Sequence, residues 1–106
     1  PLGAVISARS LASVQVPTRV YEAEQDRYLV PRFHAEWIAR NLPGVELRRV
    51  PGAWHSAFMD IPGMPIPTPD GDIAADPPGF DRPAFLQRLG TEVPAHFDRV
   101  LSSAAP

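Results

Sequence analysis

Residues 18–55 read TRVYEAEQDRYLVPRFHAEWIARNLPGVELRRVPGAWH, and the order of signals inside this stretch decides the fold. Thr18 to Ala23 is rich in β-branched and aromatic residues and empties into polar Glu24-Gln-Asp-Arg27, the pattern of a strand followed by a loop. Pro31 suits the first turn of a helix, and Phe33, Trp37, Ile38 and Leu42 fall on one helical stripe that stops at Leu42-Pro43-Gly44. Val45 to Val50 then alternates Val45 and Leu47 with Glu46 and Arg48, which predicts a second short strand closed by Pro51-Gly52. Strand, helix, strand over this length is a βαβ unit, with parallel strands and a right-handed crossover. The predicted fold class is α/β.

Outward from this unit the signals are less regular. Residues 2–15 are short and mixed, a loop leading into at most one helical turn. Residues 62–83 carry seven prolines and three glycines, too many for a helix or a central strand, and are expected to form an irregular surface loop. Asp81 offers an N-cap and Pro83 a first-turn proline. Phe85, Leu86, Leu89, Val93, Phe97, Val100 and Leu101 then recur at helical steps, predicting a terminal helix that Pro94 kinks or splits. These residues, with Phe33, Trp37 and Ile38, are the expected core. Phe58, Met59, Ile61, Met64 and Ile66 either line an acyl or alcohol pocket or pack under the long loop.

Composition narrows the function. With 106 residues, 44% hydrophobic and 21% charged, the chain has the make-up of a globular protein of about one domain. Its net charge is −2, and all ten basic residues are arginines scattered among twelve acids, which argues against nucleic-acid binding. The absence of cysteine excludes a disulfide framework, a thiol nucleophile and thiolate zinc sites. No apolar run approaches a membrane span, so no membrane partner is expected. The front of the chain lacks the marks of a secretory leader; a cytoplasmic location is expected, with export of a longer parent protein left open.

Asp26 follows the first strand and His55 follows the second, 29 positions later. Parallel neighbours empty their loops at the same edge of a sheet, so the two side chains can meet there. A carboxylate accepting the imidazole Nδ1 proton fixes the tautomer and leaves Nε2 to take a proton from a nucleophile. His34 and His96 fall within predicted helices and read as packing residues. No His-x-x-x-His or comparable ligand spacing is present, so no metal is expected. Ser56 is a poor nucleophile, because adjacent residues of extended chain point to opposite sides.

Val16-Pro-Thr-Arg-Val-Tyr-Glu-Ala-Glu-Gln-Asp26, Leu42-Pro-Gly-Val-Glu-Leu47 and Val50-Pro-Gly-Ala-Trp-His-Ser-Ala-Phe58 together resemble the penultimate strand, acid loop and histidine loop of the α/β-hydrolases, in particular their dienelactone hydrolase-like branch. Gly79-Phe-Asp-Arg-Pro-Ala-Phe85 is similar to the start of that branch's last helix. The resemblance implies that residues 1–106 form a single partial domain, the C-terminal segment of the fold, with residues 62–83 as a loop within it. It implies ester or lactone hydrolysis by a serine-hydrolase-type triad, Asp26 as acid and His55 as base, without metal or organic cofactor. Partners would be a small-molecule ester or lactone and the N-terminal part of the fold, or a second copy. Two departures stand out: the Gly-x-Ser-x-Gly nucleophile elbow is absent from the chain, and Trp54 occupies a position where the family carries a small residue. The alternative is a non-catalytic α/β fragment or interaction module that keeps the scaffold without the chemistry.

Overall fold

The computed structural model describes residues 6–61 and 63–104 of the chain; the opening residues 1–5 and Pro62 of the proline-rich stretch lie outside them. Helix α1 (Ala8–Ala12) is one short helical segment, capped by Ser7, whose hydroxyl accepts the Ser10 N–H at 3.2 Å. It buries Leu11. Strand β1 (Arg19–Ala23), helix α2 (Ala35–Asn41) and strand β2 (Glu46–Val50) follow as the βαβ unit, and the strands pair in parallel with Arg19 opposite Glu46 and Ala23 opposite Val50. The architecture is thus a mix of helices with a small, two-stranded parallel sheet.

The ladder decides which groups face outward. Glu46 N–H donates to the Thr18 carbonyl at 3.0 Å and Glu24 N–H to the Val50 carbonyl at 3.2 Å. The alternation of a parallel ladder then turns the main-chain groups of Val20 and Glu22 toward β2 and those of Arg19, Tyr21 and Ala23 away from it. Side chains alternate as well. Tyr21, Ala23 and Val50 share the face that meets the core, where Ala53, Ala57 and Phe85 are buried with Phe58, Phe80, Leu86 and Leu89 packed around them. Glu22 and Arg49 lie opposite one another on the other face, where Arg49 also reaches Glu36 of α2 at 3.5 Å.

The crossover differs from the single helix expected over residues 31–42. Pro31–Phe33 forms a separate 3₁₀ turn, and His34, at φ −124° and ψ −89°, breaks the path before α2 begins. The change of pitch rotates Phe33 off the stripe of Trp37 and Ile38, leaving it 62% exposed. No residue of α2 is fully buried, so the core expected from this helix is half-open.

The proline-rich stretch is irregular at its start and then forms a hairpin, β3 (Pro67–Thr68) and β4 (Gly71–Asp72), paired antiparallel. Asp72 Oδ1 accepts the N–H groups of Ile66 at 2.8 Å and Ala74 at 2.9 Å, tying both flanks. Met59, Ile61, Met64 and Ile66 are exposed, while Phe58 packs edge-on between Tyr21 and Phe85.

The stretch ends at Asp81, whose carboxylate accepts the Ala84 N–H at 3.0 Å, and α3 (Arg82–Ala104) begins inside the range assigned to the loop. Pro94 does not split α3: the helix runs through it to Ala104. Pro94 removes a partner only from the Gly90 carbonyl, and both residues face solvent, so that carbonyl is open to water. Only the first half of α3 feeds the core. Phe97 and Leu101, expected inside, are 54% and 66% exposed. Among the described residues, no helix is long and apolar enough to cross a membrane.

Candidate active site

Ala23 opposite Val50 starts the two loops at one edge of the sheet; two bonds lace them together and a third closes the histidine loop on itself. Gln25 N–H donates to the Ala53 carbonyl at 2.9 Å, Gly52 N–H to Glu24 Oε1 at 3.3 Å, and Ala53 N–H turns back to the Val50 carbonyl at 3.3 Å. Gly52 holds φ +71°, a left-handed turn that a side chain would strain. Ala53 and Ala57 on either side of the histidine are fully buried.

Asp26 and His55 meet across these loops. The imidazole Nδ1 lies 3.0 Å from Oδ2 and 3.2 Å from Oδ1 of Asp26. Oδ1 also accepts the backbone N–H groups of Tyr28 at 2.8 Å and Leu29 at 3.0 Å, so the carboxylate is fixed before the imidazole arrives. Asp26 is 6% exposed. A carboxylate only accepts, so in the neutral ring the proton sits on Nδ1 and the lone pair on Nε2. Among the described residues nothing hydrogen-bonds Nε2, and the His55 side chain remains 24% exposed. The base is therefore oriented from behind and open in front.

The other candidates are accounted for differently. Ser56 is buried with its hydroxyl donating to the Ile73 carbonyl at 2.7 Å, a structural bond that takes it away from Nε2. His34 sits at the break before α2 and borders a cavity beside β1. His96 lies on α3, 3.3 Å from Arg99. Among the described residues no three His, Asp or Glu side chains gather as a metal site would require.

The space around His55 is small. A notch of about 10 Å³ between Trp54, His55, Tyr28 and Ile73 has room for roughly one water. A larger cavity of about 250 Å³ runs along β1 between α2 and Phe58, bordered by Asp26 but not by His55. A second groove, of about 330 Å³, borders β1 on the α3 side with Tyr21, Val93 and Phe97.

Three features escaped the sequence reading. Tyr28 packs its ring on the imidazole, and Arg27 lies 4.8 Å over the Trp54 ring, so the bulky residue before the histidine is occupied as a stacking platform. Arg82 is buried at 1% exposure, as is Glu22, and neither burial leaves a mark in a linear sequence. The hairpin did leave one: Thr68-Pro-Asp-Gly71 is a turn signature.

A comparison of the chain with protein-family models, with characterised proteins and with solved structures finds no match.

Proposed function

We propose that this chain supplies the acid and the base of a serine-hydrolase-type triad, similar to that of dienelactone hydrolases, acting on a carboxylic ester or lactone. The observation that carries the reading is the Asp26–His55 pair, with both carboxylate oxygens on Nδ1 and Nε2 unengaged. In the complete enzyme Nε2 takes the proton of a hydroxyl or thiol as that group attacks the carbonyl. His55 then returns the proton to the departing alcohol, and next draws a proton from water as hydroxide displaces the nucleophile and releases the acid. Asp26 holds the imidazole and stabilises its protonated form throughout. These steps require no metal or organic cofactor.

The nucleophile belongs, in this proposal, to polypeptide that adds to the free edge of β1. Three observations support that edge over the edge of β2. Arg19, Tyr21 and Ala23 turn their main-chain groups outward there, cavities border the strand on both faces, and Glu22 Oε1 is buried beside one of them without a partner among the described residues. The outer side of β2 instead exposes Arg48 and Arg49, charges that discourage strand pairing. The radius of gyration, 15.4 Å, exceeds the roughly 13 Å of a compact domain of this length, in keeping with a body that lacks a layer.

The test is hydrolysis of short-chain aryl esters by the chain expressed together with the sequence encoded upstream of it. Turnover that falls on the order of 10⁴-fold in Asp26→Asn and further in His55→Ala is the expected result. Equal and small losses would sink the assignment. An inert assembly whose β1 edge nevertheless pairs is the outcome for a non-catalytic interaction module.

A further inference from the structure

A catalytic imidazole needs two restraints, one on the Nδ1 proton and one on the plane of the ring. Asp26 fixes the tautomer and orients the ring at Nδ1; packing against the ring face adds a restraint on tilt about that bond. Tyr28 touches both members of the pair. Its backbone N–H donates to Asp26 Oδ1 at 2.8 Å, while its ring lies on the His55 imidazole with centroids 5.2 Å apart and planes at 55°, within the range where tilted aromatic rings attract. Its hydroxyl lies 3.4 Å from Thr68 Oγ1 on β3, a contact at the far end of the ring. The neighbouring Arg27–Trp54 stack repeats the pattern, so consecutive residues of the acid loop pack on consecutive residues of the histidine loop.

We infer that Tyr28 is a positioning residue for His55, its ring fixing the plane of the imidazole and so the direction of Nε2. The inference deepens the hydrolase reading and rests on it for any effect on turnover, where a misplacement of about 1 Å costs on the order of 100-fold. The orientation itself is measurable without activity. Tyr28 is 40% exposed and makes no core contact among the buried cluster, so replacing it leaves the sheet and the core intact.

The experiment is NMR of the full chain, following the Nδ1 proton of His55 and cross-relaxation between the Tyr28 ring and the imidazole carbon-bound protons. The parent should show both the cross-peaks and a protected Nδ1 proton, which Asp26→Asn should lose. Tyr28→Phe keeps the ring and should hold the exchange rate of that proton within about twofold, whereas Tyr28→Leu should accelerate it about fivefold or more while the amide signals of β1 and β2 stay in place. An exchange rate in Tyr28→Leu matching the parent overturns the inference. So does a parent spectrum without the Tyr28–His55 cross-peaks, a result that needs no variant and stands even if Tyr28→Leu fails to fold. Failure of the hydrolase reading looks different: the NMR pattern holds, and the chain with its upstream sequence turns over no ester.

Discussion

Arg82 grips both carboxylate oxygens of Asp76, through Nε at 2.9 Å and Nη2 at 2.8 Å, with a guanidinium that is only 1% exposed. The same side chain donates to the carbonyls of Ala74 and Met59. One arginine in the first turn of α3 thereby fastens both ends of the proline-rich segment to the core, and lysine cannot reproduce that planar fork.

Arg82→Ala should destabilise the chain by about 3 kcal/mol, because it leaves Asp76 and two carbonyls without their donor. Urea unfolding followed by circular dichroism measures the loss. Arg82→Lys should recover only part of it, and a midpoint unchanged in Arg82→Ala would show that water replaces the arginine.

The free edge of β1 is visible to hydrogen exchange. Val20 and Glu22 N–H groups face β2, whereas the Tyr21 N–H faces outward, so in the isolated chain the Tyr21 amide should exchange much faster than either neighbour. Protection of Tyr21 that rises with protein concentration would identify self-pairing along this edge.

Glu46 gives a pH dependence with a defined sign. The hydrogen bond from Arg19, ahead of the charges of Arg19, Arg48 and Arg99, holds its carboxyl below the ordinary value of 4.5. A lowered folded-state pKa contributes stability that is fully present above the unfolded value and fades as pH falls through the folded one. Acid unfolding should therefore steepen below pH 4.5, and Glu46→Gln should remove that part of the slope. Added salt weakens the contributions of the exposed Arg48 and Arg99 more than that of Arg19, whose side chain is largely buried.

Gly71 sits at φ +111° with open space where a side chain would go. Gly71→Ala tests backbone strain alone: it should loosen the hairpin by about 1–3 kcal/mol. The readout is faster exchange of the Ile73 amide, which bonds the Ile66 carbonyl at 3.0 Å, with the β1–β2 amides unaffected.

These experiments divide along the line between what the chain shows locally and what it shows only when folded. The two strands, the Asp81 cap and the meeting of Asp26 with His55 are legible because each depends on spacing along the chain: a parallel pair and its crossover bring strand ends together whatever the side chains do. The break at His34 was not legible, because a 3₁₀ turn and an α-helix share the same proline start and the same apolar residues. Phe97 and Leu101 carry the period of a core-facing helix, yet both are exposed and Phe97 borders an open groove beside β1, so periodicity marks a sticky face without saying what covers it. Nothing in the sequence marks Arg82 and Glu22 for burial, which depends on partners six and 27 positions away.

The stack of Arg27 on Trp54 also makes the site readable by light. The chain has two tryptophans, and the other, Trp37, lies on α2. In a Trp37→Phe background, Trp54 is the single indole fluorophore, one peptide bond from the imidazole and under a guanidinium. Anything that seats itself in front of His55 changes the polarity around that indole, so emission wavelength and quenching report occupancy of the site with no dye attached.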